Sequence, residues 1–120
     1  MKLLTPQQYA HMLANGTKNA ERMADDGNTH DFWPVVKLFN PWGAGTWLLS
    51  ELDVQDPDIA FGLCDLGMGC PELGSVRLSE LESIRLMGGA LGIERDLSFK
   101  AEKSLTAYAD EARRLEYVKA

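Results

Sequence analysis

One arginine and two glutamates come closest, by type and spacing, to side chains that could do chemistry in this sequence. Residues two apart share one face of a β-strand. In Ile93-Glu94-Arg95-Asp96-Leu97-Ser98-Phe99, the residues Ile93, Arg95, Leu97 and Phe99 fall in one phase, which puts Arg95 on an apolar face. A buried guanidinium without a carboxylate costs several kcal/mol, so a partner is expected. Trp47, Leu49 and Glu51 share a phase in the same way, and Glu72 opens another strand after Pro71. The pattern predicts that Arg95 pairs with Glu51 or Glu72 at the edge of the core. Such a pair is either a clamp on strand register or a small site in which Arg95 holds an anion and a carboxylate acts as acid or base. The clamp is the stronger reading, because no histidine, lysine or serine is tied to the pair by sequence.

Other groups are weaker candidates. Residues 51–58 carry Glu51, Asp53, Asp56 and Asp58 with no base among them. The three aspartates do not match the alternate-oxygen spacing of a calcium loop, so they read as a solvated turn that could meet a basic partner. Cys64 and Cys70 are expected to be reduced thiols. A zinc site would need two further ligands, and His11 and His30 stand at no motif spacing from them, so neither metal nor cofactor is expected. The glycine-rich run from Gly67 to Gly74 leads into a strand, whereas phosphate loops lead into a helix N-terminus. Trp33, Trp42 and Trp47 lie around one hairpin with only Lys37 as a base, which is too little charge for nucleic-acid stacking. Trp42, in the turn, is the contact point to test if it is exposed.

These residues must be held by a small set of elements. Thr5-Pro6-Gln7-Gln8 is a capping-box start, and the helix behind it is expected to run to Ala14 and stop at Asn15-Gly16. Residues 17–31 are polar and read as a flexible or irregular segment. Strands are expected at Trp33 to Phe39, Thr46 to Leu52, Ile59 to Cys64, Glu72 to Leu78 and Ile93 to Phe99, from their β-branched, aromatic and alternating residues between turn signals. The first four have connections short enough for a meander. Ser79-Glu80-Leu81-Glu82 is a second capping box, with Leu81, Ile84 and Met87 behind it and Gly88-Gly89 as its stop. From Ser104, the residues Leu105, Tyr108, Ala109, Ala112 and Leu115 form the stripe of a helix docked on a sheet.

The chain has 120 residues, 45% hydrophobic and 25% charged, with a net charge of −6. Those values fit one globular domain over residues 1–120 and exclude disordered and fibrous classes. No apolar run approaches the length of a membrane span, and the N-terminus turns polar after two leucines, so a cytoplasmic location is expected. The acidic balance argues against direct binding to nucleic acid or to anionic membrane.

Taken in order, Thr46-Trp47 through Glu51-Leu52-Asp53, Phe61-Gly62-Leu63, Pro71-Glu72-Leu73-Gly74, Ser79-Glu80-Leu81 and Gly92-Ile93-Glu94-Arg95-Asp96-Leu97 with Phe99 resemble a family of small bacterial proteins of unknown function. The resemblance spans about residues 33–100 and extends weakly to both ends. It implies an accessory role on plasmids, conjugative elements and phage-like islands, and supplies no catalytic residue, cofactor or partner. The expected fold is α+β, with an antiparallel sheet of about five strands, helices at both ends and a short helix before the last strand. The expected function is a non-enzymatic interaction protein with a host or element-encoded partner, through Asp53, Asp56, Asp58 and Trp42. The alternatives are an acidic inhibitor of a nucleic-acid-binding host protein, of the anti-restriction or anti-CRISPR type, and a small enzyme using Arg95 with Glu51 or Glu72.

Overall fold

A computed structural model describes residues 3–86 and 91–120. The chain forms α1 (Pro6–Asp25), β1 (Val36–Phe39), β2 (Thr46–Leu52), β3 (Ile59–Asp65), β4 (Glu72–Arg77), α2 (Leu78–Ser83), β5 (Arg85–Leu86), β6 (Leu91–Gly92), β7 (Glu94–Arg95) and α3 (Leu105–Leu115). The fold is α+β, as expected. Its main sheet is antiparallel in the order β4-β3-β2-β1-β7, so β1 to β4 make the meander and β7 adds on the far side of β1.

The capping box at the start of α1 is present: Gln8 N–H donates to Thr5 Oγ1, and Thr5 N–H donates to Gln8 Oε1, both at 3.0 Å. The helix does not stop at Ala14. It continues through Asn15-Gly16 to Asp25, so residues 17–25 are helical. Met12, Asn15, Gly16 and Asn19 are its buried residues and share one helical face. A side chain at Gly16 would collide with the backbone carbonyl of Leu52, and Asn15 Nδ2 donates to the Ser50 carbonyl at 2.8 Å. The pair that reads as a helix stop is therefore the seam along which α1 lies against β2. The glycine that closes the helix is Gly27, at φ 78°, whose N–H reaches the Arg22 carbonyl.

Each face of the sheet carries a core. Val36, Leu38, Trp47, Leu49, Leu52 and Ala60 pack with Met12 of α1, with Leu78 and Leu81 of α2, and with Ile93. Leu48 and Leu63, on the opposite face, pack under Leu105, Tyr108, Ala109 and Ala112 of α3. Ser104 caps α3 by accepting from Ala107 N–H at 3.2 Å. Each buried leucine contributes about 1.5–3 kcal/mol, so the two helices are fixed mainly by these apolar faces.

Three expected boundaries change. The first strand begins at Val36, because Pro34 has no N–H to give a ladder and Trp33 is exposed. The helix α2 begins at Leu78 with Arg77 as its N-cap residue, and the caps come from another loop: Asp58 accepts from Ser79 N–H at 2.9 Å and from Ser79 Oγ at 2.6 Å. It ends at Ser83, while Met87, Gly88 and Gly89 lie outside the described residues. The last strand is two residues long, because Asp96 folds the chain into a turn, accepting Ser98 N–H on its side chain and Phe99 N–H on its carbonyl. Ile93 consequently packs on the α1 face, Leu97 is 85% exposed, and Phe99 joins the α3 face.

Candidate functional site

A register shift in β2 builds the site. Leu49 pairs with Gly62 but Glu51 pairs with Phe61, which leaves Ser50 as an extra residue, a β-bulge. The bulge reverses the alternation, so Leu49 and Leu52 both serve the α1 face. Glu51 turns to the opposite face beside Phe61 and does not share a phase with Trp47 and Leu49.

Glu51 is then gripped from α1. Asn19 Nδ2 donates to Glu51 Oε1 at 2.7 Å, while Asn19 Oδ1 accepts from His30 N–H at 2.7 Å. One buried amide thus ties α1, β2 and the 26–35 segment together. The next two residues of that segment are tied to α3: Asp31 accepts Thr106 N–H at 3.1 Å, and the Phe32 carbonyl accepts Leu105 N–H at 2.9 Å. Burial raises the Glu51 carboxyl above the usual glutamate range, and the Asn19 hydrogen bond only partly opposes it. Burial also pushes Asp31 up, but hydrogen bonds from Thr106 and Ser104 outweigh it and hold that carboxyl low.

A cavity of about 270 Å³ opens beside Glu51, lined by Thr29, Glu51, Asp53, Ile59, Phe61 and Ser75. Two neighbouring hollows share its Thr29 and Glu51 walls, one reaching Asn19 and Met23, the other His30, Phe32 and Leu73. Across β2, β3 and β4 the residues Glu51, Phe61 and Ser75 stand in one register row. Phe61, 36% exposed, is an apolar platform between a carboxylate and a hydroxyl. Among the described residues no lysine, arginine or histidine forms an ion pair with Glu51.

The remaining candidates are placed elsewhere. Glu72 pairs with Cys64, Cys64 with Trp47, Trp47 with Leu38, and Leu38 with Arg95. Glu72 and Arg95 therefore stand on opposite edge strands, about 19 Å apart at the usual strand spacing. Arg95 lies on the α1 face, as its phase predicts, whereas Glu51 lies on the α3 face. The structure does not bring Arg95, Glu51 and Glu72 together.

The carboxylates of the acidic turn are already engaged, within the loop and by β4 and α2. Asp53 Oδ1 accepts from the N–H groups of Gln55 and Asp56 at 2.8 and 3.2 Å. Asp56 and Asp58 both face Arg77, at 2.9 and 3.5 Å. The Ser79 hydroxyl, with Arg77, holds the Asp58 carboxyl low. Trp42 is 61% exposed, in the turn at the opposite end of β2 from the cleft. Cys64 is half-buried, which pushes its thiol up, and Cys70 is exposed; both are free. Among the described residues no group of three or more His, Cys, Asp or Glu is arranged to hold a metal ion, and no helix is long and apolar enough to cross a membrane.

A family model, described as a protein of unknown function (DUF2958), matches residues 3–119. The chain belongs to DUF2958. The match extends well beyond residues 33–100 and takes in α1 and the 26–35 segment, so Asn19, Thr29 and His30 lie inside the DUF2958 domain. No curated protein and no solved structure matches the chain. Chemically, this DUF2958 cleft offers one fixed carboxylate, a second in Asp53, two hydroxyls and an aromatic face. That set suits a cation or a hydrogen-bond donor. Sequence reasoning missed Asn19, Thr29, Phe61 and Ser75. A signal for Asn19 is present, since it is seven residues from the apolar Met12 and four from Asn15 on one helical face.

Proposed function

We propose that this DUF2958 protein is a non-enzymatic binding protein that takes basic side chains of a protein partner into the Glu51 cleft. The observation that carries this reading is a fixed, partly desolvated carboxylate in an open cavity with no cation beside it among the described residues. A carboxylate held in that setting lowers stability by itself, and a cationic partner would relieve the penalty. Asp53 on the same wall adds to the attraction. Asp56 and Asp58 contribute less than their charges suggest, because Arg77 already faces both.

The resemblance to proteins of mobile elements supports an accessory role in such an element, acting in the host cytoplasm. A nucleic-acid-binding host protein is the narrower form of the partner, since such proteins present arginine and lysine side chains. A second reading keeps only Glu51 from the enzymatic alternative: a carboxyl raised by burial in a cleft is a candidate general base.

The deciding experiment is an array of basic, neutral and acidic peptides probed with the wild-type chain, Glu51→Gln and Asp53→Asn. Selective retention of basic peptides, weakened by salt and lost in Glu51→Gln, is expected. Equal retention of all three peptide classes, or wild-type behaviour in Glu51→Gln, would overturn the proposal.

A further inference from the structure

We infer that the group this cleft recognises is a guanidinium, the arginine side chain of a polypeptide, rather than a lysine ammonium; this rests on the basic-partner reading above. Three observations carry it. The first is the row Glu51, Phe61, Ser75, in which an aromatic side chain sits between two acceptors on adjacent strands. A guanidinium is planar, stacks on an aromatic face and carries five donors in one plane, so it can lie on Phe61 while donating to either side. An ammonium is a compact, strongly hydrated point charge and cannot span the row.

The second observation is the orientation of the carboxylate. Asn19 occupies Glu51 Oε1 from the α1 side, which fixes the group and leaves Oε2 and the remaining lone pair of Oε1 for a forked donor. The third is surroundings. The cavity, about 270 Å³, shares its Thr29 and Glu51 walls with two flanking hollows, which leaves room for the neighbouring residues of a peptide chain. It suits one side chain entering from a chain that stays outside, with Asp53 at the rim to meet a second base.

Isotope-edited amide spectra of the full chain, titrated with short glycine-flanked peptides carrying one arginine or one lysine, test this directly. The arginine peptide should shift the amides of Glu51, Phe61 and Ser75 and bind about tenfold more tightly than the lysine peptide. Phe61→Leu, which keeps an apolar residue on the sheet, should weaken the arginine peptide about threefold and the lysine peptide by less. Equal affinity for the two peptides would overturn the guanidinium assignment while leaving a basic partner in place. Failure of both peptides to shift the cleft amides would overturn both proposals. Free arginine binding as tightly as the peptide would overturn the polypeptide as its source.

Discussion

Asn19 on α1 and Glu51 on β2, thirty-two residues apart, meet at 2.7 Å through an amide that also holds the backbone of His30. The contact converts a strand-end carboxylate into a fixed group on a cavity wall. It also makes the cleft depend on a helix whose second half is polar in sequence and belongs to no recognisable motif.

Removing the charge at this position should stabilise the fold. Glu51 has its carboxyl raised in the folded state, so its favourable contribution exists at low pH and is lost as pH rises through the folded value. At pH 7 Glu51→Gln, which keeps the acceptor for Asn19, is expected to raise Tm by about 1–3 °C. Thermal denaturation at pH 7 and again at pH 4 checks the sign, with the gain shrinking at the lower pH. A residue that costs stability where it stands and is needed for binding is the expected behaviour of a functional group.

Binding of a basic peptide should weaken on acidification as Glu51 takes up its proton, with a midpoint above the usual glutamate range. The other titratable or charged groups facing the cleft are Asp53, His30 and Asp31, with Arg77 two positions beyond Ser75 on β4. Asp31 is held low and titrates later as pH falls. Carboxyl carbon shifts of Glu51 followed beside peptide affinity should give one midpoint, and His30→Gln should leave it in place.

Gly16→Ala tests the seam between α1 and β2. The added methyl has nowhere to go but into the Leu52 carbonyl, so the helix must lift from the sheet. A loss of about 1–3 kcal/mol is expected, despite the higher helix propensity of alanine. Urea denaturation with an unchanged m value would identify it as a packing loss.

Asp58 and Ser79 should behave as one unit. Asp58→Ala removes both hydrogen bonds to Ser79, and Ser79→Ala only the hydroxyl one, so each is expected to lower Tm, Asp58→Ala by more, and the double variant to lower it by less than their sum. The Asp58 carboxyl is held low in the fold, so its contribution is present at neutral pH and fades as pH falls through the folded value. Reversing all three aspartates of the turn would disturb α2 as well as the surface, which makes Asp53→Asn the cleaner probe of binding.

Asp65 should clasp the C-terminal tail. Its two oxygens accept from Gly67 N–H at 2.8 Å and Val118 N–H at 3.0 Å, and the residue is buried. Asp65→Ala is expected to cost about 1–3 kcal/mol, with faster amide exchange at Val118 as the local signature.

The central strands were legible because Thr46 to Leu52, Ile59 to Cys64 and Glu72 to Leu78 alternate between clear turn signals, and the capping box at Thr5 carries its own local chemistry. Three failures have one physical cause. Gly16 reads as a helix stop, yet it is required by the close approach of Leu52; Glu51 reads as inward-facing, yet the Ser50 bulge turns it over; and Ser79 reads as a cap, yet it is capped by Asp58. Each was decided by a contact from another element, which no local window contains. The same holds for the cleft, whose wall residues come from the 26–35 segment, three strands and the turn after β2, with Asn19 bracing Glu51 from α1. Arg95 was placed on the correct face, but the order of the strands, invisible in the alternation, set it far from Glu72.

The pairing of Leu38 with Arg95 sets an order of assembly. The meander joins neighbours through short turns, whereas these two residues are 57 positions apart. Closing the longer loop carries a larger entropic penalty, by about 0.6 kcal/mol for each doubling of length. The outer edge of β1 therefore stays open until most of these residues have been made, and during synthesis it is open to unintended strand pairing.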